Sequence, residues 1–325
     1  MSKKEKKDTH SHRGRFVLLC VGVFALAFAA SAAFKMTYNP NADLSGVAWD
    51  ETVGTLHADI PYGDGDAQKL DVYVPADSSK DSYGMVVYLH AGGFTTGDKA
   101  DDAQMLEWLC SRGYVAVGIN YTLFSDDHLD ANVYTQSVEV RDAVPVAVKA
   151  AEDLGYHVDR LAMAGGSAGG CLALLYAYRD ADVAPVPVRM VFEGVGPSSF
   201  YPEDWTNYGF DQDVEAACAM FSTMSGNEIT PDMVGTPAYD NAIRDISALL
   251  WVNSDTVPTV MAYGAHDTFQ PYLGSVRLDA ALTKAGVEHE YIVFEHSGHG
   301  LQNDDAQGRA YYEAIIDYLD RYMAE

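Results

Sequence analysis

The chain has 325 residues, of which 48% are hydrophobic and 21% are charged, enough to form one large α/β domain with a substantial core. Its 47 Asp and Glu residues outnumber its 21 Lys and Arg residues, which gives a formal net charge of −26. A surface of this sign repels phosphate backbones, so the composition excludes nucleic acid as a partner.

The charge is divided unevenly along the chain, and a basic N-terminus precedes an apolar segment. Residues 1–35 hold seven Lys or Arg and two Asp or Glu, so the remainder has a net charge of −31. Residues 16–34 carry no charge and are just long enough to cross a bilayer as a helix. Ala-Ser-Ala at 30–32 also fits a signal-peptide cleavage site, but the length and the lack of a helix breaker favour a retained transmembrane anchor. We therefore expect an acidic domain outside the cytoplasm, anchored to the membrane by residues 1–34 or secreted if the signal is cleaved.

Strand and helix patterns alternate after a short polar linker at residues 35–54. Strands are predicted by apolar or alternating segments at 69–74, 84–90, 114–121, 160–165, 188–196, 257–264 and 289–295. Helices are predicted near 102–112 and at 138–155, 275–286 and 310–323. Buried strands that alternate with helices predict a mainly parallel sheet with helices on both faces, formed by a domain of residues 55–325.

One segment interrupts this alternation. Residues 197–244 are acidic and aromatic and show no strand pattern, and a long insertion of this kind in a compact domain is usually functional or disordered. The aromatic residues argue against disorder, so we interpret the segment as a cap over the strand ends. Tyr201, Trp205, Tyr208 and Phe210 are candidates to line a pocket beneath it.

The cysteines indicate neither a disulfide framework nor a zinc site. Beyond the anchor only Cys110, Cys171 and Cys218 remain, an odd set without short paired spacing. We expect all three to be small buried side chains. The sequence implies no metal and no organic cofactor.

The first candidate for chemistry is the glycine-rich segment 165–169, Gly-Gly-Ser-Ala-Gly. It matches G-x-S-x-G between a predicted strand and a helix, a turn that exposes a serine hydroxyl and leaves no space for bulky neighbours. The helix that follows directs its positive end toward the place where negative charge would develop. The alternative is a turn in which Ser167 only caps the helix.

A second motif, His-Ala-Gly-Gly-Phe at 90–94, follows a buried strand upstream. The backbone N–H groups of Gly92 and Gly93, together with that of Ala168 after the serine, could bind an oxyanion. The alternative is a turn that only ends the strand.

Two further motifs supply a carboxylate and an imidazole, each in a loop after a predicted strand. Asp267, in segment 263–271, could orient an imidazole or merely cap a helix. His299, in segment 295–301, has glycines on both sides, which suits an exposed and mobile ring. His296 and His266 are the competing candidates, and we favour His299.

The order Ser167, Asp267, His299 is the order of the triad in α/β-hydrolases. With the motifs above, residues 55–325 resemble that superfamily, in particular its esterase and lipase group of hormone-sensitive-lipase-like and feruloyl- or acetyl-esterase-like enzymes. The resemblance implies an α/β-hydrolase fold with Ser167 as nucleophile, His299 as general base and acid, and Asp267 as the orienting acid. It assigns the oxyanion hole to Gly92, Gly93 and Ala168. Ala91 departs from the usual His-Gly-Gly-Gly motif, although both donating positions keep their glycines.

The sequence therefore predicts a serine hydrolase that cleaves small uncharged carboxylic esters through an acyl-enzyme, with the ester as its small-molecule partner. A peptidase or amidase could use the same triad. A non-catalytic surface binding module on a hydrolase scaffold is the alternative from another class, and the complete triad argues against it.

Overall fold

The computed structural model of the protein describes Leu26 and residues 41–324. The chain divides into two units, Met1–Ala42 and Asp43–Glu325, and the description below concerns the second. Apart from Leu26, the predicted signal or anchor segment at 16–34 lies outside the described residues. Within the described part of the chain, no helix has the length and apolarity that crossing a bilayer requires.

Eight strands form one mixed sheet. The bounds are β1 Gly54–Pro61, β2 Lys69–Pro75, β3 Tyr83–Leu89, β4 Val115–Ile119, β5 Val158–Gly166, β6 Val188–Gly194, β7 Thr259–Gly264 and β8 His289–Phe294. Their order in the sheet is β1-β2-β4-β3-β5-β6-β7-β8. The six strands from β3 to β8 are parallel to one another, whereas β1 and β2 are antiparallel to their neighbours.

Helices cover both faces of this sheet, and alternate side chains of each central strand enter two separate cores. The bounds are α1 Ala42–Ser45, α2 Ala103–Ser111, α3 Val133–Asp153, α4 Ala168–Arg179, α5 Val214–Ser225, α6 Pro237–Ile243, α7 Tyr272–Ala285 and α8 Asp305–Tyr322. In β3, Met85 and Val87 belong to the core under α3, α4 and α7, whereas Val86 belongs to the core under α2 and α8.

The predicted fold class is confirmed, with each predicted strand and helix found close to its expected bounds. The sequence analysis missed β1, an edge strand with mostly exposed side chains and thus without a buried pattern. The predicted linker 35–54 is described from residue 41 onwards, where it includes α1 and the first residue of β1. Cys110, Cys171 and Cys218 are free and buried, as expected.

The predicted cap segment, 197–244, lies between β6 and β7 and is helical, with α5, α6 and three short 3-10 helices. Its aromatic side chains pack against one another and join the core under α3, α4 and α7: the Trp205 and Phe221 rings are 5.3 Å apart, and the Phe200 and Phe221 rings 5.6 Å apart. The segment is therefore folded rather than disordered, because its own side chains are buried against one another.

The parallel strands bring the four sequence motifs to one edge of the sheet. The segment 90–94 follows β3, Ser167 follows β5, Asp267 follows β7 and His299 follows β8. Ligand sites of open parallel sheets lie at these carboxyl ends, so the topology predicts one site rather than four separate loops.

Candidate active site

Ser167 lies in a strained turn between β5 and α4. Its backbone has φ 52° and ψ −118°, a conformation that a residue with a side chain rarely adopts. The turn is held by the Ser167 N–H, which donates to the Gly194 carbonyl at the end of β6 over 2.7 Å. The Ser167 side chain makes no capping hydrogen bond to α4. The helix-cap interpretation therefore does not account for this serine.

Gly169 is required because the first turn of α4 lies directly against the end of β3. A Cβ atom at this position would be 1.9 Å from the Leu89 carbonyl oxygen. We expect Gly169→Ala to lower the free energy of unfolding by about 3 kcal/mol or more, since backbone cannot move aside as a side chain can.

Urea denaturation followed by circular dichroism measures this effect, with Gly274→Ala as the matched control. Gly274 is also helical, and a Cβ there would be 3.5 Å from the nearest atom, an ordinary contact. The free energy of unfolding of the Gly274→Ala control should rise by up to about 1 kcal/mol, because alanine has a higher helix propensity than glycine. Equal stabilities of the two variants would contradict the close contact at Gly169.

Ser167, His299 and Asp267 form one chain of hydrogen bonds. The His299 Nε2 atom is 2.9 Å from the Ser167 Oγ atom, and the His299 Nδ1 atom is 2.7 Å from Asp267 Oδ2. The Asp267 side chain is almost completely buried, whereas that of His299 is 28% exposed. The imidazole can therefore reach both the serine and a ligand, while the carboxylate is shielded from water.

The two carboxylate oxygens of Asp267 have different partners. Its Oδ1 atom accepts the backbone N–H groups of Phe269 and Gln270, at 2.8 and 2.9 Å. These bonds fix the carboxylate and leave Oδ2 for the imidazole of His299. Asp267 thus orders its own loop as well as orienting an imidazole.

The competing histidines lie elsewhere. His296 pairs with Asp304 at 2.7 Å, and this carboxylate raises the pKa of His296. His266 is exposed next to Asp267, and its backbone N–H donates to the Ser297 carbonyl. Of the three candidates, the structure brings His299 to Ser167.

The segment 90–94 forms a tight loop opposite Ser167. Gly92 has φ 133°, and a Cβ atom there would be 1.9 Å from the Thr96 carbonyl oxygen, so only glycine fits. The N–H groups of Gly92 and Gly93 donate to no acceptor within the described part of the chain. Both residues line the same cavity as Ser167 and Ala168. Their free donors are what an oxyanion would need.

A buried glutamine holds this loop in place. Gln136 in α3 donates through Nε2 to the carbonyls of Phe94 and Thr122, both at 2.9 Å. The Phe94 carbonyl also accepts the Phe124 N–H at 3.0 Å. Gln136 is completely buried, so its hydrogen bonds hold the loop from the protein interior and are shielded from water.

The loops and the cap enclose a cavity of about 710 Å³. Its walls are mainly aromatic, aliphatic or thioether side chains, with no Asp, Glu, Lys or Arg among the described residues that line it. Trp205 and Tyr208 line it as expected. Tyr201 instead bonds Asp240 at 2.8 Å, and Phe210 lies against Phe221 with the rings 5.7 Å apart. The cavity therefore suits an uncharged ligand despite the acidic surface of the chain.

The other polar groups near the site have structural partners. Within the described part of the chain, no three or more His, Cys, Asp or Glu side chains are arranged to hold a metal ion. His90 is stacked on Tyr121 with ring centroids 4.3 Å apart. Burial lowers the pKa of His90, so this ring is neutral and supports the loop.

The sequence analysis missed two buried polar residues near the site, Gln136 and Glu193, the second of which accepts the Gly196 N–H at 2.8 Å. Glu193 could have been noticed in the sequence, because a charged residue within the predicted apolar strand 188–196 needs a polar partner if it is buried. Gln136 could not, because its role depends on where Phe94 and Thr122 come together in the fold.

Comparison with known proteins gives the family. A family model described as BD-FAE matches residues 70–282, about two thirds of the chain, including Ser167 and Asp267. The chain belongs to the BD-FAE family. This match confirms the predicted resemblance to the esterase and lipase group.

The curated relatives of this BD-FAE chain include enzymes of two kinds. Kynurenine formamidase from Salmo salar is 32% identical over 121 residues, which cover 37% of this chain and 38% of the relative. Esterase LipQ from Mycobacterium tuberculosis is 25% identical over 271 residues, which cover 81% of this chain and 61% of the relative. The chain spans less than half the length of the formamidases it matches, which include a second one from Danio rerio.

Solved structures confirm the α/β-hydrolase fold of this BD-FAE chain. Esterase B from Lactobacillus rhamnosis has a TM-score of 0.63 at 17% identity, covering 93% of this chain and 96% of that one. A propionate-bound thermophilic esterase from Thermogutta terrifontis has a TM-score of 0.64 at 20% identity, covering 85% of this chain and 98% of that one. At these identities the likeness concerns the fold.

Proposed function

We propose that the protein is a serine hydrolase that cleaves small uncharged carboxylic esters through an acyl-enzyme. The observation that carries the proposal is the hydrogen-bonded chain from Ser167 through His299 to Asp267 at an uncharged cavity. The BD-FAE family match and the esterases among the relatives support the same reaction class.

In the first half of the reaction, Ser167 Oγ attacks the ester carbonyl and His299 Nε2 accepts the serine proton. The Asp267 carboxylate stabilises the imidazolium through Nδ1. The N–H groups of Gly92, Gly93 and Ala168 bind the carbonyl oxygen as it becomes negative, helped by the positive end of α4.

Collapse of this intermediate releases the alcohol, which takes the proton from His299. Water then attacks the acyl-enzyme, with His299 again as base, and the acid leaves. The proton transfers use the Ser167–His299 and His299–Asp267 contacts, which already lie at hydrogen-bond distance, so these groups need little reorganisation.

Amide hydrolysis, in particular of formamides, is the second candidate. The specific support is the identity of 30–32% to two kynurenine formamidases. The same triad serves both reactions, because ester and amide hydrolysis differ here only in whether His299 protonates a leaving alcohol or a leaving amine.

A fluorophosphonate probe tests the proposal directly. We expect it to modify Ser167 and no other serine, because only an activated hydroxyl beside an oxyanion hole reacts readily. Peptide mapping by mass spectrometry locates the label. Matched p-nitrophenyl acetate and p-nitroacetanilide then separate ester from amide preference. An unlabelled Ser167 in folded protein would favour a binding module instead.

A further inference from the structure

A carboxyl group lies beneath the Ser167 turn, and the reaction described above does not use it. Glu193 in β6 is completely buried, and in the sheet it pairs with Gly165 of β5 and Met261 of β7. Its Oε2 atom accepts the Gly196 N–H at 2.8 Å, and its Oε1 atom has no hydrogen-bond partner among the described residues. A completely buried carboxyl with an unpartnered oxygen is costly to keep ionised.

Contacts lead from this carboxyl to the nucleophile turn. A Cβ atom on Gly170, in the first turn of α4, would be 2.9 Å from Glu193 Oε2. One on Gly196 would be 2.8 Å from the same oxygen and 2.7 Å from the Gly170 carbonyl carbon. The carboxyl, the segment after β6 and the start of α4 thus lie in direct contact, without space between them.

The segment after β6 is itself strained. Val195 has φ 51°, which is unfavourable for a β-branched residue and persists only where neighbours enforce it. Glu193 holds Gly196 on one side of Val195. On the other side, Gly194 accepts the Ser167 N–H. Glu193 therefore fixes the segment that in turn fixes the backbone of Ser167.

Burial of Glu193 favours the neutral acid and outweighs the Gly196 N–H and the Tyr263 hydroxyl, which favour the ionised form. Burial raises the pKa of Glu193 from 4.5 to about 8, and the described groups that act on it include no lysine or arginine. The titratable groups that face it from β3, α4, β7 and α8 are Tyr88, Cys171, Tyr178, Tyr263 and Tyr311. Burial raises the pKa of every one of them, so these neighbours stay neutral while Glu193 titrates.

We propose that Glu193 is a positioning residue that supports the Ser167 turn as a neutral acid, and that its ionisation lowers activity at alkaline pH. The inference rests on the proposed hydrolase function. A carboxylate at this place would offset the positive potential at the N-terminal end of α4. Its charge would also repel the negative charge that develops on the carbonyl oxygen beside Ala168. The sign follows from the raised pKa: the neutral form is lost as pH rises through about 8, and the negative charge then opposes the oxyanion, while the Gly196 N–H bond persists in both forms.

The test is the pH profile of kcat/KM between pH 6 and 10 for the wild type and Glu193→Gln. Glutamine keeps an acceptor for the Gly196 N–H and cannot ionise. We expect wild-type kcat/KM to fall about tenfold per pH unit above about pH 8, and the variant to keep its activity at least one unit further.

Asp102→Asn is the matched control. Asp102 is a half-buried carboxyl with a buried, unpartnered Oδ2 atom, and burial raises its pKa to about 7. It makes no hydrogen bond to residues 165–170 or 193–196 within the described chain. Its variant should keep the alkaline fall of the wild type. Glu193→Leu removes the acceptor for Gly196 and should lower kcat at every pH, with little change in KM.

Infrared difference spectra of wild type against Glu193→Gln give a readout that does not need turnover. A protonated carboxyl band at pH 7 that disappears near pH 8 supports the proposal. An ionised Glu193 at pH 7, or the same alkaline fall in Glu193→Gln as in the wild type, overturns it. A wild type that hydrolyses no ester refutes the proposed function, and the infrared band still decides the state of Glu193.

Discussion

Replacing Ser167 by alanine is expected to lower kcat/KM for short p-nitrophenyl esters by about 10⁴- to 10⁶-fold. The 2.9 Å contact to His299 Nε2 gives the hydroxyl a base that can accept its proton as it attacks. Removing Oγ leaves the oxyanion donors and the cavity intact, so substrate binding should change much less than turnover. Steady-state kinetics on purified protein, with binding of a non-hydrolysable ester analogue, separates the two effects.

Ser198→Ala is the matched control for this variant. Ser198 is a completely buried serine, unlike Ser167, and its Oγ atom has no hydrogen-bond partner among the described residues. Loss of this hydroxyl should leave kcat/KM within about threefold of the wild type. Ser167→Ala protein that keeps the wild-type rate would rule out the proposed nucleophile.

Replacing Asp267 by asparagine is expected to lower kcat by about 10⁴-fold while the fold persists. Two backbone N–H groups hold Oδ1, so the amide oxygen has to occupy that position. The amide NH₂ group then faces His299 Nδ1 and donates to it. This forces the ring proton onto Nε2, which can no longer accept the proton of Ser167.

Asp279→Asn breaks a comparable contact outside the site and serves as the control. Asp279 lies 3.0 Å from His289, in α7 and β8 respectively. Its variant should keep kcat within about twofold, with thermal melts of both variants to compare stability. A small loss in Asp267→Asn would mean that His299 keeps its tautomer without the carboxylate.

The central strands could be predicted because they are buried on both faces and read as continuous apolar segments. Val86 and Val87 enter different cores, yet both are hydrophobic, so the pattern survives in the sequence. β1 could not be predicted in this way, because an edge strand with exposed side chains leaves no such pattern.

More of the site than of the cap could be predicted from the sequence. Ser167, Asp267 and His299 each follow a predicted strand. Because parallel strands end at one edge of the sheet, the sequence predicted that these three residues lie close together. Tyr201 and Phe210 show where this reasoning ends. Composition marked both as pocket candidates, but the path of the chain within the cap turned one toward Asp240 and the other toward Phe221.

Because the cap is inserted between β6 and β7, the shape of the cavity and the proposed reaction depend on different segments of the chain. The ends of the cap are held at a fixed spacing, because β6 and β7 are hydrogen-bonded neighbours and the Val195 N–H donates to the Ala262 carbonyl at 2.8 Å. The hydrogen-bonded groups of the proposed reaction come from other loops, whereas Trp205, Tyr208, Met220 and Met224 line the cavity. Mutations can thus accumulate in residues 197–244 and change which molecules fit without disturbing the reaction. The same junctions mark where a cap could be exchanged between relatives as one cassette.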